Sequence, residues 1–525
     1  MVKDGMIWAA STEDGRKITM LPKMVNRHGL VAGATGTGKT VTLKVLAETF
    51  SEMGVPVFMA DVKGDIASIM KPGEDSEDMR ARIERFGLAE ENFSYQGYPV
   101  TLWDIYGEKG IQLRTTISEM GPVLLARILN LNELQSGVLS IVFKIADDND
   151  LLLYDTKDLK AILNYVKENP KEFEEEYGRM SSATIGAIMR ALVALEVAGG
   201  ETFFGEPGLN IFDWLTTGEG GKGMINILDS SSLINSGTLY STFLLWFLSE
   251  LFEIMPEVGD LDKPKMVFFF DEAHLLFKDC SKSLLEKIEQ VVKLIRSKGV
   301  GVYFCTQNPR DIPDGVLAQL GNKIQHGLHA YTPADQKAVR AAAESFRPNP
   351  AFGTYDTILS LGTGEAVVSF LDETGVPSVC EKVRILPPKS RFGSITEDER
   401  RQSVMGSVLY SKYANPVDPD SAYEMLERLN AEREAAEAEA AKTLAEEKNA
   451  EREALRAERE EQRKKEAEEK QKKRAVKSVA STILGTVGRE AGKSVGGKFG
   501  ALGKTMGGNI GASLGRGILS NLFKI

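Results

Sequence analysis

The chain is predicted to be an α/β protein with a mostly parallel sheet, to which an all-helical insertion, a long charged helix and a glycine-rich tail are added. Three features predict it. Short apolar runs alternate with helical stretches from Gly29 to about Leu386, the rhythm of parallel strands joined by crossover helices. Between Thr116 and about Thr202 apolar residues instead recur at helical spacing, with few strand signals. After Pro387 and Pro388 the composition shifts, and residues 421–477 are dominated by Ala, Glu, Lys and Arg.

Taken in order, the first twenty or so residues read as a small hairpin before the core, from the apolar stretches at 7–10 and 17–21. Strands are expected at 29–32, 55–60, 100–103, 224–228, 265–270, 300–305 and 365–370. Within the insertion, helices are expected at 123–131, 133–147, 159–168 and 182–197. The charged stretch reads as a solvated single helix, because Leu426, Leu429, Leu444 and Leu455 are too sparse for a continuous seam. Pairs four apart, such as Glu461 with Lys465, would support it. In the tail, Gly488, Gly492, Gly496 and Gly500 recur every fourth residue, as do Gly503, Gly507, Gly511 and Gly515. Such strips suit close helix pairing or contact with anionic lipid, while a flexible basic tail is the plainer reading. The expected division is residues 1–112 for the first part of the core, 113–212 for the insertion and 213–390 for the second part of the core. A linker and charged helix follow at 391–477, then the basic tail at 478–525.

The formal net charge of −11 argues against a chain that coats nucleic acid over its whole surface, though it allows a basic channel. From Val476 onward seven Lys or Arg stand against one acid, so the tail is basic and the rest correspondingly more acidic. Three cysteines, far apart and without Cys-x-x-Cys spacing, form neither a disulfide framework nor a zinc site. No charged-then-apolar leader opens the sequence, and the most apolar run, 243–252, is too short to span a bilayer. A reducing cytoplasm is the expected location.

Residues Gly33, Ala34, Thr35, Gly36, Thr37, Gly38, Lys39 and Thr40 form Gly-x4-Gly-Lys-Thr directly after a strand, and Val41 opens a helix-like stretch. This is a phosphate-binding loop. Its glycines let successive N–H groups turn toward phosphate oxygens, Lys39 reaches the β- and γ-phosphates, and the Thr40 hydroxyl is placed for Mg2+. The helix that follows adds its N-terminal dipole. A second signal is the apolar run ending in Asp271 and Glu272, which puts two carboxylates at the tip of a buried strand. Asp271 would hold Mg2+ through water and Glu272 would polarise the attacking water. Capping of the next helix is the competing account. The third signal is a strand ending in Thr306, Gln307 and Asn308, where the Gln307 amide suits a γ-phosphate sensor.

In this order the three signals resemble the HerA/FtsK group of RecA-like motor ATPases, and more closely the bacterial HerA-like ATPases named for the helicase's C-terminal region. Beyond the motifs above, the resemblance is carried by Asn26 to Gly29, Asp61-Val-Lys63-Gly-Asp65, Arg114 to Pro122, His274, Arg296 to Gly301, Pro309, and Asn322-Lys323-Ile-Gln-His326. It covers roughly residues 5–390. It implies ATP and Mg2+ as ligands, a homo-oligomer in the form of a hexameric ring with ATP between subunits, and double-stranded DNA as cargo by analogy. A neighbour would supply a cationic finger, for which Arg296, Lys298 and Arg310 are the better candidates. Relatives usually carry arginine at the positions of Lys323 and His329, and a lysine lacks the planar fork. The Asp61 to Asp65 loop is near the γ-phosphate and the pore in similar proteins, although Asp65 also suits a helix cap. His28 and Arg27 are candidates for a base or ribose contact, and His274 for a hydrogen bond behind the carboxylates. The functions implied are an ATP-driven DNA translocase or helicase-like motor. The alternative is a protein-remodelling or membrane-associated assembly ATPase using the tail. A scaffold with a degenerate site is disfavoured because Lys39, Thr40, Asp271, Glu272 and Gln307 are all present.

Overall fold

The computed structural model describes residues 1–235, 237–259, 261–277 and 282–479. The glycine-repeat tail, and any membrane or partner contact through it, lies beyond residue 479 and so outside the described residues; Cys280 lies outside them too.

One sheet organises the first of two compact units, Met1–Tyr423. Its strands are β1 (Val2–Lys3), β2 (Met6–Ser11), β3 (Lys17–Met20), β4 (Gly29–Ala32), β5 (Val57–Asp61), β6 (Val100–Asp104), β7 (Ile111–Gln112), β8 (Ile225–Asp229), β9 (Met266–Phe270), β10 (Val300–Thr306), β11 (Asn322–His326), β12 (Glu365–Ser369) and β13 (Glu381–Ile385). The spatial order is β1-β2-β13-β12-β11-β4-β10-β9-β5-β8-β6-β7, with β3 beside β2. From β11 to β7 every pairing is parallel, and from β11 through β12 and β13 to β2 every pairing is antiparallel. The N-terminal hairpin is not a separate element before the core, because Ser11 pairs with Arg384 and Ala10 with Ile385, which builds it into the sheet edge.

The central strands are buried on both faces, which is why their sequences read as unbroken apolar runs. Strand alternation sends Phe268 and Phe270 to one face and Phe269 to the other. On the first face Phe58 meets Phe268 at 5.4 Å and Phe247 at 5.7 Å, and stacks on Trp214 at 5.0 Å. On the other, Phe269 shares a core with Leu43, Leu46 and Phe50 of the helix Lys39–Glu52.

The insertion is helical throughout its main part: Ile117–Ile128, Glu133–Asp148, Thr156–Glu168, Pro170–Tyr177 and Ser182–Leu195. A short turn from Ile117, closed by the reciprocal Thr116 and Glu119 capping box, is separated by a break at Gly121 (φ +67°) from the helix that resumes at Pro122, one residue before the expected start. Among the described residues one helical stretch, Ser182–Phe203, is long and apolar enough by length and composition to cross a bilayer, and it is not the run at 243–252. It buries Ile185, Ile188, Leu192 and Leu195, and its regular course ends at Gly199 (φ +103°).

Residues after 390 pack into the same unit. Arg391 grips Glu399 through two bonds of 2.9 and 2.7 Å, and Tyr413 meets the edge of Trp103 at 5.5 Å. The second unit begins at Glu424, within the helix Ala422–Val479. Glu461 and Lys465 pair at 2.7 Å on that helix, on its solvated surface.

Candidate active site

The strand order brings the three sequence signals to one edge of the sheet. β10 lies between β4 and β9, all parallel, so the loop after β4, Gln307 after β10 and the carboxylates after β9 share the C-terminal edge.

The loop runs from Gly33 into the helix Lys39–Glu52. Gly38 has φ +115°, which a side chain would strain. A Cβ on Gly33 would meet His326 Cβ at 2.5 Å. Ala34 is half-buried, Thr35 and Gly36 are exposed, Thr40 is half-buried, and Val41 packs against the core. Thr37 is buried and donates from Oγ1 to Ala34 O at 2.7 Å. Two segments far along the chain cradle the loop: Ala34 N donates to Gly327 O at 2.8 Å, and Gly364 N to Thr37 O at 2.9 Å. Beneath it His326 is buried, with Nδ1 2.9 Å from Glu365 O and Nε2 2.8 Å from Thr42 Oγ1. A carbonyl can only accept, so Nδ1 carries the proton and Nε2 accepts from Thr42. Burial depresses this imidazole to about 4, so it is neutral.

Lys39 is 5% exposed, and its ammonium donates to Gly33 O at 2.7 Å and Ala34 O at 3.0 Å. Burial moves its pKa down, partly offset by nearby groups that include Glu272 and Asp271. A phosphate would therefore meet a cation already seated by the loop's own carbonyls.

At the tip of β9 Asp271 is 1% exposed and Oδ2 has no partner among the described residues. Burial raises its pKa. An orphaned carboxylate oxygen here fits a hydrated divalent cation, with the Thr40 hydroxyl as the second protein group. Among the described residues no cluster of three or more His, Cys, Asp or Glu could hold a metal by itself, so such a cation would depend on nucleotide phosphates. When bound it would neutralise charge on the transferred phosphoryl group.

Glu272 sits in the left-handed region at φ +47°, uncommon for a side chain of its size. Its Oε1 is 2.7 Å from Lys63 Nζ, and Gln307 Nε2 donates to both carboxylate oxygens at 3.2 and 3.3 Å. His274 Nδ1 lies 3.4 Å from Oε2 without a hydrogen bond to any described residue, so the expected bond behind the carboxylate is not formed. Burial pushes the Glu272 pKa up, but Lys63 and Gln307 outweigh it and hold it below the usual range. A cleft of about 390 Å³ opens beside these groups, lined by His274, Phe277, Gln307 and Asp311.

Other candidates fall elsewhere. Asp65 does not cap a helix: the turn Ala67–Met70 has Ile66 at its cap with no side-chain bond. Asp61 organises that loop instead, its carboxylate accepting from the N–H groups of Lys63, Gly64 and Ile66 at 3.2, 2.7 and 3.0 Å. His28 and Arg27 precede β4 and so lie at the end of the sheet opposite the loop. His28 is 2% exposed and its Nδ1 accepts from Val302 N at 3.1 Å, which makes it a packing residue and not a base contact. Arg296 and Lys298 form the turn before β10, also at the opposite end from Gln307, so within one chain they take no part in the site. Arg310 is exposed at the Gln307 end. Lys323 donates to Ser345 O at 2.9 Å, and His329 stacks on Tyr331 with centroids 5.5 Å apart. Sequence reasoning missed the roles of His326 and Lys63; both stood in runs that carry the family resemblance, with no local pattern to show what they touch.

Fold and site together define a RecA-like P-loop nucleotide-hydrolase architecture in which an additional strand separates the phosphate loop from the carboxylates. The chain belongs to the family described as helicase HerA-like, C-terminal, which matches residues 7–506. It is 23% identical over 358 residues to the DNA double-strand break repair helicase HerA of Sulfurisphaera tokodaii, covering 66% of this chain and 62% of that protein. Against the DNA import protein CedB of Sulfolobus acidocaldarius it is 22% identical over 377 residues, 71% of this chain and 55% of that one. The chain thus spans less than two thirds of the length of these relatives. Among solved structures it is similar to the bacterial conjugative coupling protein TrwBdeltaN70, with TM-score 0.48 and 16% identity over 72% of this chain and 90% of that one.

Proposed function

We propose that the protein hydrolyses ATP with Mg2+ as part of a ring of six identical subunits, and uses the cycle to translocate or unwind double-stranded DNA. The observation behind it is the convergence of Lys39, Asp271, Glu272 and Gln307 at one sheet edge around an unpaired, buried carboxylate oxygen. In this reading Gly33 to Val41 hold the phosphates, Thr40 and Asp271 hold Mg2+, and Glu272 takes a proton from the attacking water. Gln307 bridges the γ-phosphate to Glu272. Arg296, at the far end of β10, acts only from a neighbouring copy. The DNA component rests on the family relatives described as helicase and DNA import proteins. Residues 1–112 and 213–390 form the ATPase core in this reading, with 113–212 inserted, 391–477 and 478–525 appended, and the protein working in the cytoplasm.

ATP turnover measured with and without double-stranded DNA over a range of salt tests it. Turnover stimulated by DNA, with binding that weakens steeply as salt rises, is expected. Turnover without DNA binding would move the reading to protein remodelling, which the acidic net charge of −11 suits. Absence of turnover would remove it.

A further inference from the structure

The geometry points to Lys63 as a restraint on the hydrolytic carboxylate: its ammonium holds Glu272 until a phosphate oxygen takes the ammonium away. This rests on the hydrolase reading above and goes beyond it by assigning a positioning residue and a trigger.

Glu272 is engaged by two protein donors. Lys63 Nζ lies 2.7 Å from Oε1, and the Gln307 amide spans both oxygens. A carboxylate with its lone pairs given to an ammonium and an amide is a poor acceptor for the proton of an attacking water. The bond joins the backbone of two separate strand ends. Lys63 follows β5 and Glu272 follows β9, and these strands are hydrogen-bonded neighbours. The loop bearing Lys63 is shaped by Asp61, whose three N–H acceptances fix residues 63–66, while Gly64 (φ +77°) supplies the turn. Lys63 itself is 38% exposed against 6% for Glu272, so the lysine is the partner that an incoming anion can reach.

Two cations converge on this edge. Lys39 and Lys63 each feel Asp271 and Glu272, and the two ammonium groups repel one another. A phosphate dianion, with more negative charge than one carboxylate, would draw both. Once Lys63 has moved, Glu272 keeps only the neutral Gln307 donor, and its left-handed backbone no longer has the ion pair to hold it. The phosphate has two sources, the γ-phosphate of bound ATP or the backbone of a nucleic acid lying on the exposed loop.

The test compares the full-length protein with Lys63→Met, Lys63→Arg, Glu272→Gln and the double variant Lys63→Met/Glu272→Gln. Melting temperatures without nucleotide form a double-mutant cycle. Lys63→Met is expected to lower the melting temperature when Glu272 is present and to have little effect when position 272 is glutamine. In steady-state hydrolysis, a nucleic-acid trigger predicts that Lys63→Met raises the DNA-free rate roughly threefold or more and abolishes DNA stimulation. A γ-phosphate trigger predicts instead that KM for ATP rises roughly fivefold while kcat and DNA stimulation stay within about twofold. Lys63→Arg should restore wild-type behaviour in either case. An additive melting cycle overturns the restraint, and so does a Lys63→Met enzyme with wild-type KM, kcat and DNA response. If the wild-type protein shows no turnover, the hydrolase reading fails and the melting cycle alone decides whether Lys63 holds Glu272.

Discussion

The ends of β4 and β9 face the same ligand but are built differently. At the end of β4 the loop rests on neutral partners: backbone carbonyls around Lys39, the carbonyl of Gly327, the N–H of Gly364, and an uncharged His326. At the end of β9 charge is balanced against charge, with Glu272 on Lys63 and one Asp271 oxygen without a partner among the described residues. The binding half is shaped in advance. On the proposed reading the hydrolytic half exchanges partners before it works, and that separation would let a site hold nucleotide without consuming it.

The comparison can be broken most severely at the carboxylate. Glu272→Gln should reduce turnover by roughly 10²–10⁴ while ATP binding is retained, measured by single-turnover hydrolysis beside equilibrium binding. Normal hydrolysis by that variant would mean that another group handles the proton. At the other end, Lys39→Ala should weaken ATP binding by roughly 10–100-fold, the cost of a lost charge-assisted contact, with the melting temperature little changed.

His326 sharpens the contrast through stability. Replacing it with alanine leaves Thr42 and Glu365 O without their buried partner and opens space under Gly33, so a loss of about 2–4 kcal/mol in urea unfolding is expected. Its pH dependence has a definite sign. The unfolded imidazole takes a proton below about 6.5, the folded one only below about 4, so between these values the unfolded state binds more protons. Stability contributed by neutral His326 therefore falls as pH drops from 6.5 toward 4. The stability difference between wild type and His326→Gln should shrink across that window. A difference that is flat with pH would show that the folded imidazole takes up its proton as readily as the unfolded one. Smallest of all should be Glu461→Ala on the solvated helix, with no measurable shift in melting temperature.

The parallel strands were readable from sequence because burial on both faces demands continuous apolar runs, as in 265–270 and 300–305. β11 was not, since Asn-Lys-Ile-Gln-His contains a single aliphatic residue. Its polar groups are buried through partners distant in sequence: Asn322 Nδ2 donates to Met24 O at 3.0 Å and to His28 O at 3.1 Å. β13, Glu-Lys-Val-Arg-Ile, escaped for a related reason, as three of its five residues are charged and find partners distant in sequence, Arg384 meeting Glu365 at 2.7 Å and Glu381 meeting Arg16 at 2.9 Å. Site residues divide the same way. The phosphate loop is a local pattern of eight consecutive residues, and Asp271 with Glu272 is local too. The partnership of Lys63 with Glu272 spans two strands far apart in the chain, and no spacing rule reports it. His28 misled because proximity to the loop in sequence placed it, across a strand, at the opposite edge of the sheet.

The position of β4 bears on how the protein is made. Its hydrogen-bonded neighbours on either side are β10 and β11, residues 300–306 and 322–326. A ribosome that has finished the phosphate loop must add almost three hundred residues before that strand can be enclosed, roughly 15–60 s at common elongation rates. During that interval the loop lacks Gly327, His326 and Gly364. The nascent chain thus cannot assemble the nucleotide site until nearly the whole core has emerged, which keeps incomplete subunits from consuming ATP.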